Sequence, residues 1–246
     1  MIVTVLQWGT LAVCALVALA RIPSARRGEN RPVFYILLLL MVAILLSIEE
    51  PYQVIDRFLG GINLANVVLR FVVFAAVFFL GLQIAKGFGA EDARRFLTGK
   101  VGIGVAVLSS AVVIGLFLMM DTAGSSAGLV DVAAKSARNR ALVEYYGAAG
   151  RLYPAFVLLA LLPAMVRTVR SRLPLIIRGS AVSMAVGSAA TALSLGFPLI
   201  PPGFGCWRFV INYTGILCLV LGLVLIWAGR LAARRLPRPP AGGAVP

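Results

Sequence analysis

The sequence predicts an all-α, polytopic bundle of seven membrane-spanning helices, with the N-terminus outside and the C-terminus in the cytoplasm. Three observations predict it. Of 246 residues, 61% are hydrophobic and only 13% charged. Soluble domains carry about a quarter charged residues, so this chain has too little charge to cover a water-facing surface. Apolar runs recur at close to the ~20 residues that a hydrocarbon core of roughly 30 Å demands. Basic residues cluster beside the ends of those runs, and alternate loops are rich and poor in them.

The first span covers about residues 2–20. No Lys or Arg precedes it, whereas a cleaved signal peptide has a basic leader. Arg21, Arg26, Arg27 and Arg31 follow it instead, which reads as an N-out anchor. Leu11–Cys14 faintly resembles a lipoprotein cleavage box, but Val13 is too large for it, and lipidation at Cys14 is not expected. The second span, 33–48, is short and is expected to borrow a turn from the loop beyond it. The third, 64–85, follows the chain-breaking pair Gly60-Gly61, with Asn63 placed to cap it.

Gly102 and Gly104 open the fourth span, 101–120; they follow no strand, so they form no nucleotide loop. The loop after it holds a short amphipathic helix from about Gly128, expected on the outer surface. The fifth span, 142–166, contains Pro154 and Pro163, which predict a kink or tilt. In the sixth, 175–195, the small residues Gly179, Ser183, Gly187 and Thr191 recur every four positions. In the seventh, 209–229, Gly215, Gly222 and Gly229 recur every seven. Such stripes let helices approach closely. Pro198, Pro201 and Pro202 stiffen the turn between these two spans. Residues 1–235 form the membrane domain, and the Pro- and Gly-rich tail 236–246 is expected to be disordered.

Orientation follows from loop charge. With the N-terminus outside, the inner segments hold the four arginines after the first span, then Lys86, Arg94, Arg95, Lys100, Arg167, Arg170, Arg172 and Arg178. Arg230, Arg234, Arg235 and Arg238 complete them. The outer segments hold Arg57, Lys135, Arg138, Arg140 and Arg208, together with Glu49, Glu50, Asp56, Asp121, Asp131 and Glu144. Tyr52, Tyr145, Tyr146, Tyr153, Trp207 and Tyr213 fall near outer helix ends, as an interfacial aromatic belt would. The net charge of +14 sits in these small clusters. It therefore predicts contact with anionic lipid at the cytoplasmic face, and docking of a protein partner there, and not nucleic-acid binding. Arg-, Ala- and Gly-rich usage points to a bacterial plasma membrane. Cys14, Cys206 and Cys218 offer no disulfide framework.

A conventional enzyme is not expected. With no histidine in the chain, a Ser/His protease, a histidine-held haem and an HExxH zinc site are excluded. No aspartate falls inside a span, so there is no aspartyl dyad. No cofactor or metal is expected. Polar groups at membrane depth are the functional candidates. Asn63, Asn66 and Arg70 share one face of the third span by their i, i+3, i+7 spacing. An arginine there needs a partner among Glu49, Glu50, Asp56 or Glu144, or else it snorkels to the interface. Glu144 and Arg151, two turns apart on the fifth span, each look to another helix. If Arg151 and Arg70 both face inward, they make an anion-friendly vestibule. The stripes on the sixth and seventh spans are read as helix packing, and they leave a homo-oligomer open.

The run Ile55-Asp56, Gly60 and Asn63-Leu64-Ala65 resembles the I-D-x-x-x-G-x-x-N-L-A pattern between helices two and three of an actinobacterial seven-helix membrane family labelled as transporters. By residue the resemblance covers this loop, and by helix count the whole chain. It implies transport of an unidentified substrate. Members of that family continue into a cytoplasmic helical domain, whereas this chain stops at Pro246. The residues themselves allow Asp56, Gly60 and Asn63 a structural capping role as well as substrate contact. Two functions fit these residues. One is a transporter-like protein with an outward polar vestibule at Arg70. The alternative is a non-catalytic sensor or membrane-complex subunit that docks a cytoplasmic partner.

Overall fold

The computed structural model describes residues 2–27, 31–200 and 205–235. Among them all regular structure is helical: α1 (Ile2–Arg26), α2 (Arg31–Leu45), α3 (Glu49–Phe58), α4 (Leu64–Gly87) and α5 (Glu91–Thr98) come first. They are followed by α6 (Lys100–Leu118), α7 (Val130–Lys135), α8 (Ala137–Val169), α9 (Leu175–Leu193) and α10 (Gly205–Arg235). Short 3₁₀ turns occupy Ala127–Leu129 and Ser194–Leu199. Five helices are long and apolar enough to cross a membrane: α4, α6, α8, α9 with its following turn, and α10. The bent pair α2 and α3 gives a sixth if taken together, and α1 contributes a shorter apolar stretch, Gln7–Ala20. The chain is a multi-pass membrane protein. The tail after Arg235, Pro201 and Pro202 lie outside the described residues.

The second span does not gain a turn from the loop beyond it. α3 leaves α2 at 93°, and its sequence explains why. Glu49 and Glu50 occupy its first turn, where the positive end of a helix favours acids, and Asp56 and Arg57 come later in the same helix. A helix this polar cannot extend an apolar span. It buries one stripe, Tyr52 and Asp56 at i, i+4, and leaves Phe58 exposed.

α8 is the centre of the bundle, packing on α4, α6, α7 and α9. Its 33 residues run unbroken through Pro154 and Pro163, a length of about 50 Å. Ser136 caps it, its hydroxyl accepting from the Asn139 amide at 3.0 Å. Tyr146, Tyr153, Val157, Leu161 and Met165 form its buried seam, against Phe74 and Ile84 of α4, Val113 and Phe117 of α6, and Met184 of α9. α1 packs chiefly on α2, and α10 chiefly on α9. The helix expected from Gly128 begins at Val130. Val130, Asp131, Ala134 and Lys135 are exposed while Leu129 and Val132 are fully buried, so the helix lies on the end of the bundle with one apolar stripe turned inward.

The small-residue stripes meet at the α9–α10 contact. Ser183 donates to the Cys218 carbonyl at 2.7 Å. A Cβ at Gly187 would lie 2.7 Å from Leu219 Cγ, and one at Gly222 would collide with Met184. Gly215 faces Thr191. Gly179 has open space around it and takes no part. A four-residue repeat advances about 40° more than a full turn at each step, so the stripe rotates off the contact before reaching it. The surroundings of Gly229 lie outside the described side chains.

Among the glycines described, the tightest approach joins α5 to α6. A Cβ at Gly102 would fall on the Leu97 carbonyl oxygen, which is backbone and cannot swing away, whereas Gly104 has open space. Gly102→Ala is expected to cost about 1–3 kcal/mol, read as a lower melting temperature in detergent. Gly104→Ala is expected to leave that temperature equal or higher, since alanine is the better helix former.

Candidate functional site

At the α3 end of the bundle, Gly60 and Gly61 turn the chain with positive φ of 107° and 67°. Asn63 follows at φ 62°, a left-handed conformation that asparagine tolerates better than most residues. Asn63 stands at the N-cap position of α4, yet its side chain accepts nothing from that helix. The cap comes from Asp56. Its fully buried carboxylate accepts the Asn63 amide at 2.9 Å, the Ala65 amide at 3.0 Å and the Ser125 hydroxyl at 2.5 Å. The helix N-terminus and three donors balance its charge, and it forms no ion pair among the described residues.

Asn63 is a hub instead. Its Oδ1 accepts from the Tyr52 hydroxyl at 2.9 Å and from the Ser126 amide at 3.0 Å. Its Nδ2 donates to the carbonyls of Thr122, at 3.0 Å, and Gly124. Glu49 reaches the Ala127 amide at 3.2 Å. Together these bonds lock α3, the start of α4 and the loop 121–127 into one unit. Burial, with Asp56 alongside, pushes the Tyr52 hydroxyl well above its ordinary value and keeps it a donor. A raised value means the folded state holds this proton more tightly than the unfolded chain. The associated stability is therefore complete below the ordinary tyrosine value of about 10 and falls as pH rises beyond it. Tyr52→Phe is expected to flatten that alkaline loss in a series of melting temperatures from pH 8 to 11. In the same loop, Lys135 holds the exposed Asp121 carboxyl below its usual range through a 3.1 Å hydrogen bond.

Beside this lock lies a cavity of about 450 Å³, lined by Gln7, Glu49, Glu50, Asn66 and Arg70 with apolar neighbours. Arg70 stands six residues into α4, roughly 9 Å along its axis. No carboxylate lies within ion-pair distance of it among the described residues, contrary to the expected partner from Glu49, Glu50, Asp56 or Glu144. The expected acids are committed elsewhere or stand at the rim. The guanidinium instead lies over the Tyr146 ring, 5.1 Å from its centroid, an arrangement that attracts a cation without neutralising it. Gly150 makes the room. A Cβ there would stand 2.8 Å from Arg70 Cδ and Nη1 and 2.9 Å from Nε.

The described residues contain four buried polar side-chain atoms with no hydrogen-bond partner, and three of them gather here: Asn66 Oδ1, Arg70 Nε and the Tyr146 hydroxyl. Buried polar groups are almost always satisfied. Of these three residues, Asn66 and Arg70 also line the cavity, and Tyr146 does not.

Of the five residues expected to form the vestibule, the cavity unites Asn66 and Arg70 only. Asn63 belongs to the lock. Glu144 pairs with Arg208, at 3.2 and 3.4 Å, and Arg208 also donates to the Ile200 carbonyl at 2.7 Å. Arg151 donates to the Ser194 carbonyl at 2.9 Å, with its guanidinium 4.7 Å from the Phe197 ring centroid. Glu49 and Glu50 line the Arg70 cavity, so charges of both signs meet at this end of the bundle. Tyr145, Trp207 and Tyr213 are exposed, as a belt requires, but Tyr52, Tyr146 and Tyr153 are buried in the protein. The Tyr52 hydroxyl and the face of the Tyr146 ring find partners only there. Gly150, Ser125 and Ser126 carry the site without having stood out in the sequence, and Tyr146 stood out only as a belt residue. A glycine one turn after a tyrosine on a span that also bears an arginine was the available signal. Cys14, Cys206 and Cys218 are all free thiols. No family model, curated protein or solved structure matches the chain.

Proposed function

We propose that this is a seven-span protein of a bacterial plasma membrane, N-terminus outside, which binds a small carboxylate-bearing molecule from the outer face at Arg70. In this reading α1 and α2, shorter than the five long apolar helices, complete seven alternating passes, and the distribution of Lys and Arg supports the orientation. The observation that carries the binding role is a cavity of about 450 Å³ lined by Asn66 and by Arg70, whose guanidinium has no carboxylate within ion-pair distance among the described residues. That volume suits a small metabolite. Arg70 would take the carboxylate. Glu49 and Glu50 at the same cavity disfavour polyanions and favour a ligand that also carries an amine, so a free amino acid fits best.

Reception of such a ligand is favoured over its passage through the protein. Below Arg70, α4 presents Phe71, Phe74, Val77 and Phe78 before the next uncharged polar side chain, Gln83. The twelve residues 71–82 span about 18 Å of α4 with no polar side chain. Transport, as the family resemblance implies, requires a second conformation that opens this plug.

The test is a melting-temperature and calorimetric screen of the purified protein against amino acids, mono- and dicarboxylates, and matched amines and alcohols. Carboxylate-dependent binding that is lost in Arg70→Met supports the reading; binding of none, or binding indifferent to the carboxylate, refutes it. Counterflow in proteoliposomes separates the alternatives, since uptake of a bound ligand favours transport and binding without uptake favours a sensor.

A further inference from the structure

At the opposite end of the bundle, α2, α4 and α5 enclose a second cavity of about 460 Å³. Three cations line it: Arg31 at the start of α2, Lys86 in the last turn of α4, and Arg94 in α5. Among the described residues no acid lines it. Glu91 engages Arg94 from outside the lining, at 3.2 Å through Nε, and also lies 3.8 Å from Arg95. Thr98 spends its hydroxyl proton on the carbonyls of Arg94 and Arg95. Gln83, one turn above Lys86, adds an amide. Above this polar floor the wall becomes apolar, with Phe79 and Leu82 on a helix apolar enough to span a membrane.

A multivalent anion in the cavity would have Lys86, Arg94 and Arg31 within its lining. A phosphate has the charge and the acceptor count to meet two or three such groups at once. Basic pockets between spanning helices at the cytoplasmic face are suited to lipid headgroups. We propose that this cavity is a phosphate-binding site, occupied by the headgroup of an anionic phospholipid whose acyl chains lie along Phe79 and Leu82. The apolar wall is the reason for preferring a lipid over a soluble phosphate. α5 fits that placement. It buries Ala93 and Leu97, leaves Phe96 exposed, and turns Arg94 and Arg95 outward, as a helix lying at an interface would. The inference is independent of the Arg70 cavity, and loss of ligand binding there would leave it standing.

The test compares retention of phosphatidylglycerol and phosphatidylcholine on the delipidated, detergent-purified full chain by native mass spectrometry, with inorganic phosphate as a competitor. The variants are Lys86→Gln, Arg94→Gln and the pair together. Both residues are exposed, so the substitutions leave the fold intact, which an unchanged melting temperature checks. Arg138→Gln/Arg140→Gln, exposed at the other end, controls for bulk charge. The expected result is preferential retention of phosphatidylglycerol, weakened about five-fold for each basic residue removed and unaffected in the control pair. Binding of inorganic phosphate alone, dependent on Lys86 and Arg94, supports a phosphate site and overturns the lipid as its occupant. Equal retention of both lipids with no phosphate effect, or an effect matched by the control pair, overturns the site itself.

Discussion

Asp56→Ala is expected to lower the stability of the protein by about 3–5 kcal/mol, because it strips two buried amides and a hydroxyl of one shared acceptor. The Asn63 and Ala65 amides begin α4 and have no partner within that helix, and the space left by the carboxylate is too enclosed for both to reach water. Ser125 loses its anchor at the same time, so the loop 121–127 is released from α3. Two companion variants separate the contributions. Asp56→Asn keeps one acceptor oxygen but turns a donor toward donors, and is expected to fall between wild type and alanine. Asn63→Gly accepts the positive φ of 62° without strain and removes the side chain that ties Tyr52, Ser126, Thr122 and Gly124 together. It is expected to cost about 2–4 kcal/mol. Melting temperatures in detergent measure the size, and hydrogen exchange measures the place: amides 122–127 are expected to exchange faster in both variants while those of α9 do not. A loss of less than about 1 kcal/mol for Asp56→Ala would show that the carboxylate is not a structural acceptor.

Arg70→Met is expected to do the opposite to stability while abolishing ligand binding. An arginine half-buried on the spanning helix α4, without a carboxylate, bears a desolvation cost that the Tyr146 ring offsets only in part. Methionine of similar length fills the space against Gly150 and Tyr146 with no charge to solvate. The melting temperature is therefore expected to hold or rise by a few degrees. Affinity for a carboxylate ligand is expected to fall about 10- to 100-fold, the equivalent of a charge-assisted hydrogen bond of about 1.5–3 kcal/mol. This divergence distinguishes a binding residue from a structural one, because a structural arginine would lose stability on substitution. Gly150→Ala offers a second handle. Its Cβ would push the guanidinium aside, so binding is expected to weaken with Arg70 still present.

How far the sequence could be read differs from residue to residue. The spans at 64–85 and 101–120 fall within a few residues of α4 and α6, because a continuous apolar run in a chain this poor in charge has few alternatives to a membrane helix. The spacing of Ser183, Gly187, Thr191, Gly215 and Gly222 marked faces able to approach another helix closely, but that these faces meet each other came only from the fold. Gly179 shared the spacing and not the contact, because spacing records a helix face and not where the neighbouring helix lies against it. Asn63 was legible as the residue at the start of α4, but its role was not. The cap is supplied by Asp56, seven residues earlier, and only the folded turn at Gly60-Gly61 brings that carboxylate back onto the helix end.

The sequence by itself determined the class of the protein: an all-helical, multi-pass chain. Hydrophobicity and its length scale are local properties, written in consecutive residues and set by the thickness of a bilayer. Tertiary structure alone decided which polar residues are structural and which remain available. Asp56, Asn63, Glu144 and Arg151 find partners on other segments, while Arg70 and Asn66 are left facing a cavity. The physical reason is that a polar side chain within a bundle is defined by what satisfies it. Those partners, Ser125 and Ser126, Arg208, and the Ser194 carbonyl, lie 43 to 69 residues away along the chain, a pairing that no local pattern encodes.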